Sequence, residues 1–96
     1  MKQQERIKEM EKRFDTALQA VERLSAALDE YIAVQGDIAE LERYYHSSEW
    51  RKDFAADEAG LLPADMKRGV LSEDGVWNLL SDNNDLRKRL RRAAKA

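Results

Sequence analysis

Apolar residues in the first third of the chain recur with a seven-residue period. They form two rows with the spacing of positions a and d in a coiled-coil heptad. Leu18, Ile32 and Val34 widen the resulting stripe, as expected for a helix that more than one neighbour covers. The rows consist of Ile7, Phe14, Val21, Leu28 and Gln35, and of Met10, Ala17, Leu24, Tyr31 and Ile38.

The pattern predicts a first helix over residues 3–35 and a second over residues 37–59. Gly36 can end the first helix, because glycine adopts the left-handed conformation of a helix C-terminus at little cost. The alternative is one continuous helix through this glycine, since the second row reaches Ile38. We expect a break in the second helix near Ser47, whose hydroxyl can cap a new helix.

The helix-breaking and helix-capping residues in the last third of the chain predict a connector over residues 61–71 and a last helix over 72–94. Pro63 is expected to open a short helical turn that runs to Lys67 and that Gly69 closes. The last helix starts with a serine followed by two acids, which together favour a helix N-terminus.

These elements predict an all-α protein with a single domain over residues 1–96. Its expected form is an elongated helical bundle, in which a helical hairpin and a C-terminal helix pack on a long, coiled-coil-like N-terminal helix. A helix of about 33 residues is about 50 Å long and overshoots a compact globule of this size. Self-association is therefore favoured, and the alternative is a monomer whose later helices fold back along the first. The predicted interface consists of Ile7, Phe14, Val21, Leu24, Leu28 and Tyr31.

Composition narrows the class of protein. Hydrophobic residues make up 43% of the chain and charged residues 38%, which fits neither a disordered chain nor a membrane protein. No apolar run approaches the ~20 residues that span a bilayer. The charged start leads into no signal-type apolar stretch, so the expected compartment is the cytoplasm. The absence of cysteine excludes disulfides and thiolate chemistry.

The net charge of −2 is unevenly distributed, because the last eleven residues hold six basic side chains and no acid. Such a tail can complement the dipole of a helix C-terminus or contact phosphates of a nucleic acid. No aromatic residue lies among the basic ones, so base stacking is not expected there. The candidate anion or nucleic-acid contacts are Arg87, Lys88, Arg89, Arg91 and Arg92.

Catalytic chemistry has little support in the sequence. His46 is the only histidine, and one histidine without cysteine makes a poor metal site. Glu49, Asp53 and Asp57 share one helix face, where basic side chains of the chain itself, including those of its tail, can pair with them. We therefore predict no catalytic residue, no metal site, no cofactor and no enzymatic activity.

One set of residues from the middle of the chain onward resembles a small bacterial family, catalogued as domain of unknown function 4298. The resemblance covers nearly the whole chain, and its most specific part runs from Lys67 to Asp74. It implies a small helical protein and brings no activity, ligand or catalytic residue with it. The family-signature residues are Tyr44, Tyr45, Trp50, Asp53, Pro63, Lys67, Arg68, Gly69, Ser72, Glu73 and Asp74.

The expected function is that of a protein–protein interaction or structural module. The favoured partner is a second copy of the chain, and another protein is the next choice. The alternative is a nucleic-acid-associated accessory protein that uses the basic C-terminal tail. No membrane partner is expected.

Overall fold

A computed structural model describes residues 2–96, which contain helices and no strand. This result confirms the predicted all-α class and the long N-terminal helix. Backbone contacts divide the chain into a unit that ends at Gln35 and a unit that spans Gly36–Ala96. The single domain over residues 1–96 stays a prediction. The helices are α1 (Lys2–Ala33), α2 (Gln35–Tyr45), α3 (Ser48–Glu58) and α4 (Gly75–Ala94), with a 3₁₀ turn at Gly69–Leu71.

Helix α1 has 32 residues and a length of about 48 Å. Its sequence is rich in strong helix formers, and a pair one turn apart, Glu9 and Arg13, lies at an ion-pair distance of 3.4 Å. The helix ends at Ala33, two residues earlier than predicted. The side-chain amide of Gln35 donates a hydrogen bond of 2.9 Å to the Tyr31 carbonyl, which satisfies one acceptor of the last turn.

Helix α1 does not end in the way that the sequence predicted. Among residues 2–96 a positive φ occurs at Gly60 alone, so Gly36 is not the left-handed residue that ends α1. Gly36 instead lies in the first turn of α2, and a single turn residue, Val34, separates the two helices. The unbroken helix considered as the alternative does not form either.

Ser47 organises the break between α2 and α3. Its backbone is extended, its hydroxyl accepts a 3.2 Å hydrogen bond from the Trp50 amide, and the same hydroxyl donates to the Tyr44 carbonyl at 2.6 Å. One side chain thus satisfies an amide at the start of α3 and a carbonyl at the end of α2.

Helix α3 ends in a two-bond motif centred on Gly60, which has φ 71°. The Leu61 amide bonds to the Ala56 carbonyl and the Gly60 amide to the Asp57 carbonyl, both at 3.0 Å. This pair of bonds is the Schellman motif, which requires a left-handed residue after the helix and therefore favours glycine.

The connector differs from its prediction. The stretch from Pro63 to Lys67 forms turns rather than a helix, and the 3₁₀ turn begins at Gly69 instead of ending there. Helix α4 begins at Gly75, three residues after the predicted start. Ser72 still holds this start, because its hydroxyl accepts from the Gly75 amide at 3.0 Å and donates to the Gly69 carbonyl at 2.8 Å.

The core of the second unit is small. Within residues 2–96 the buried hydrophobic side chains are Leu71 and Val76, which are 5% and 4% exposed. Leu71 ends the 3₁₀ turn, and Val76 lies in the first turn of α4. The 3₁₀ turn contacts both α3 and α4, so the core lies where these three elements meet.

Replacement of Gly75 by alanine is expected to destabilise the second unit by about 1 kcal/mol. A Cβ there would lie 2.9 Å from the Gly69 carbonyl oxygen and 2.5 Å from the Ser72 hydroxyl, so the backbone must shift. Gly36→Ala is the control, because its Cβ meets nothing within 4 Å and helix propensity favours alanine by about 0.5–1 kcal/mol. Urea unfolding followed by circular dichroism measures both. Equal effects of the two substitutions would contradict the prediction.

Candidate interaction surface

The α1 stripe is the most apolar exposed feature of the first unit. Because α1 is helical throughout, its heptad spacing puts these side chains on one face. Their exposed fractions lie between 39% and 66%. The stripe consists of Ile7, Met10, Phe14, Leu18, Val21, Leu24, Leu28 and Ile32.

Five of the six predicted interface residues belong to the α1 stripe and are exposed, with Val21 at 66% the most exposed of them. The sixth, Tyr31, is half-buried, and its carbonyl accepts the hydrogen bond from Gln35. Contiguous apolar surface of this extent is a feature of sites that bind protein.

The flanks of the α1 stripe differ between its two ends. Near the N-terminus the positions beside the seam hold charged residues, including Arg6, Glu11 and Arg13. Toward the C-terminus the corresponding positions hold the small residues Ala20 and Ala27. A narrow seam suits one partner helix, whereas the wider C-terminal half can be covered over a broader arc.

The family-signature residues of the second unit form a cluster of rings and hydrogen bonds between α2 and α3. The Tyr44 hydroxyl donates to the Asp53 carboxylate at 2.5 Å. The Trp50 ring meets Tyr45 edge-on and stacks on Phe54, with centroids 5.0 Å apart in both pairs. These contacts fix α3 against the end of α2.

Two further bonds attach the connector to α3. The Trp50 indole N–H donates to the Val70 carbonyl at 2.9 Å, and the Arg68 guanidinium donates to the Asp57 carboxylate at 2.5 Å. Arg68 and Asp57 are partly buried, so this ion pair is screened less than a fully exposed one. This pair was not predicted from the sequence. The only signal for it is an acid and a base on opposite sides of the Gly60–Pro63 stretch.

The rest of the signature has local roles or none in the structure. Gly69 and Ser72 build the start of α4, as described above. Pro63, Lys67, Glu73 and Asp74 are exposed, and Asp74 is the N-cap of α4 without a side-chain hydrogen bond. The signature residues therefore join three elements: the C-terminal end of α2, helix α3 and the 3₁₀ turn. Four signature residues, one proline and three charged residues, lie at the surface instead.

Two of the three acidic residues in the α3 row bind neighbouring side chains of the second unit. Tyr44 donates to Asp53 and Arg68 to Asp57, so cations of the C-terminal tail do not supply these bonds. Within the described residues no group of three or more histidine, cysteine or acidic side chains could hold a metal ion.

The Asp53 carboxylate changes the acidity of Tyr44. The hydrogen bond to Asp53, followed by burial and by the negative charges of Asp53 and Glu49, raises the pKa of Tyr44 to about 12. Each of these causes favours the neutral phenol, which alone can donate the hydrogen bond.

The five candidate basic residues of the tail are all exposed on α4. Arg91 and Arg92 lie in its last turn, where a positive charge complements the helix dipole. In the part of the chain that the structure describes, none of the five forms an ion pair. Arg87, Lys88, Arg91 and Arg92 fall within an arc of about 140° around the helix.

Together these features define an all-α protein with an exposed heptad helix and a second helical unit closed by aromatic and polar contacts. The chain belongs to the DUF4298 family, whose model, described as a domain of unknown function, matches residues 7–93. The match confirms the resemblance seen in the sequence. No curated protein and no solved structure matches the chain. None of the helices over residues 2–96 combines the length and apolar character that crossing a membrane requires.

Tyr44→Phe is expected to lower the stability of the second unit at neutral pH. The phenol pKa is higher in the folded chain than the unfolded value of about 10, so its contribution is complete below pH 10 and is lost as the pH rises through 12. Urea unfolding at a series of pH values should show the gap between wild type and variant shrink at high pH.

Tyr45→Phe is the matched control, because Tyr45 contacts Trp50 and His46 through its ring, which phenylalanine retains. Its effect on the free energy of unfolding should be small. A Tyr44→Phe effect no larger than that of Tyr45→Phe would show that the bond to Asp53 contributes no stability.

Proposed function

We propose that this chain is a bacterial, cytoplasmic protein–protein interaction or structural module that associates with itself through the α1 stripe. Exposure of the stripe along the whole of α1 is the observation that carries the proposal. A lone helix has no interior, so its apolar face gains stability only when another surface covers it.

The energy available from such contact is considerable. Burial of a fully exposed large apolar side chain contributes about 1.5–3 kcal/mol, and roughly half of this gain is still available from each of the eight stripe side chains, which are 39–66% exposed. Part of this gain offsets the entropy lost on association and side-chain ordering. The role is that of a scaffold or adaptor rather than a catalyst, because the functional surface is apolar and offers no nucleophile or base.

Leu24→Asp is expected to abolish self-association. The substitution removes an apolar contact and introduces a charge that must be desolvated, and a symmetric dimer incurs this loss twice. A loss of about 4 kcal/mol in total weakens the association roughly a thousandfold. Light scattering behind size exclusion, at low and high salt, measures the mass in solution.

Ala26→Asp is the matched control, since it puts the same residue on the same helix, two positions away and off the a/d rows. It should leave the mass of the oligomer unchanged, and circular dichroism should show both variants equally helical. A wild-type protein that is monomeric at every salt and protein concentration would refute the proposal.

The basic arc on α4 supports a second candidate, a nucleic-acid-associated accessory role. Four exposed cations without an ion pair in the described chain offer contacts to phosphates along one side of the helix. Without interleaved aromatic residues, such binding would be independent of sequence and weak at physiological salt.

The combined variant Arg87→Gln, Arg91→Gln, Arg92→Gln tests this second role. If the arc contacts phosphates, affinity for labelled DNA should fall and the slope of log K against log salt should decrease by up to about three. The control combines Arg23→Gln and Arg51→Gln, which change charge outside the tail. Equal binding by both variants would exclude the arc as the contact surface.

A further inference from the structure

The order of large and small residues in the α1 stripe distinguishes the two ways in which two copies of α1 can pair. In a parallel pair each core residue faces its own copy. Ala17 would then face Ala17, in a layer directly beside one in which Phe14 faces Phe14. The narrowest and the widest layers would be neighbours, which leaves a void beside a crowded contact.

In an antiparallel pair each a residue faces a d residue of the other copy. One register matches all four pairs of seam layers, namely the register in which the numbers of a facing a residue and d residue add to 38. Each small residue then faces a larger one, because Ala17 faces Val21 and Phe14 faces Leu24. At the ends, Ile7 faces Tyr31, and Met10 faces Leu28.

Leu18 fits this register as well. It lies beside the seam near the midpoint of α1 and is 43% exposed. In the antiparallel pair Leu18 meets its own copy next to the two small central layers, where it adds apolar contact. In the parallel pair it would lie beside Arg13 of the other copy instead.

Charge along α1 favours the same orientation. Residues 2–16 carry five basic and four acidic side chains, a balance of +1, and residues 17–33 carry one basic and three acidic side chains, a balance of −2. Antiparallel pairing brings unlike halves together, and it also opposes the two helix dipoles favourably. In the parallel pair, Arg6 of one copy can form an ion pair with Glu11 of the other. An exposed ion pair of this kind contributes little to stability.

The area agrees with a stable pair. Eight large side chains that are 39–66% exposed can withdraw on the order of 800 Å² per copy from water, which is the share of each partner in a standard protein interface. The two faces also match in length, since they are the same helix. A second copy of the chain therefore fits the stripe along its full extent.

From these observations we infer that two copies pair antiparallel through α1, with a twofold axis crossing the pair near Gln19. This inference rests on the proposed self-association and specifies its geometry. The wide half of each stripe then covers the narrow half of the other. The long stem of Arg13, beside the seam, lies over Ala27 of the second copy, and its guanidinium stays in water.

Distances between spin labels test the orientation on the full-length chain. The chain contains no cysteine, so one introduced cysteine carries the only label. Glu5 and Gln19 lie on the side of α1 opposite the seam. In the antiparallel pair, labels at Glu5→Cys are offset along the axis by 28 residues, or about 42 Å. Labels at Gln19→Cys have no offset and are separated by the width of the pair, about 20–24 Å.

The outcomes separate this inference from the proposed function. A long distance at Glu5→Cys with a short one at Gln19→Cys supports the antiparallel pair. Short distances at both positions overturn that orientation while leaving self-association intact. A wild-type monomer with no intermolecular distance at either position overturns both. Adding Leu24→Asp to each labelled variant should remove the distance, and a distance that survives would place the contact outside the stripe.

Discussion

The exposed apolar face of α1 is the main physical constraint on the first unit. A helix of 32 residues satisfies its backbone hydrogen bonds internally, but it cannot shield its own side chains from water. Exposed fractions of 39–66% along eight large apolar residues leave roughly half of their hydrophobic free energy unrealised in a single copy. In the proposed pair, contact with a second surface would realise this free energy. The heptad spacing and the order of side-chain sizes would then determine which surfaces fit.

The second unit depends on a different kind of contact. Its buried hydrophobic side chains, Leu71 and Val76 within the described residues, are too few to hold four segments together by area alone. Directed contacts contribute the remainder: Ser47 joins two helix ends, Trp50 holds the connector through Val70, and the Schellman motif at Gly60 turns the chain back. Each of these contacts requires a particular geometry between a few residues. A single substitution at one of them therefore removes that contact and leaves the others in place.

Periodicity and local chemistry made part of this structure predictable. The heptad rows identified α1 and the face that carries its exposed side chains, and the cap at Ser47 marked the start of α3. Both were predictable because each signal is carried by residues that are close together in the sequence. The end of α1 was misplaced because Gly36 carries a glycine signal without needing a positive φ. The bonds from Trp50 to Val70 and from Arg68 to Asp57 join residues 20 and 11 positions apart. They depend on the path of the connector, which no local pattern specifies.

The placement of the aromatic residues has a consequence for the spectroscopy of the protein. Both tryptophans, Trp50 and Trp77, lie in the second unit, and Trp50 alone is enclosed by other rings and bound through its indole N–H. Indole fluorescence therefore monitors the second unit, whereas helical circular dichroism is dominated by α1 and α4. Coincidence of the two signals during denaturation would mean that the chain unfolds as one cooperative system, and separation of the signals would give each unit its own stability.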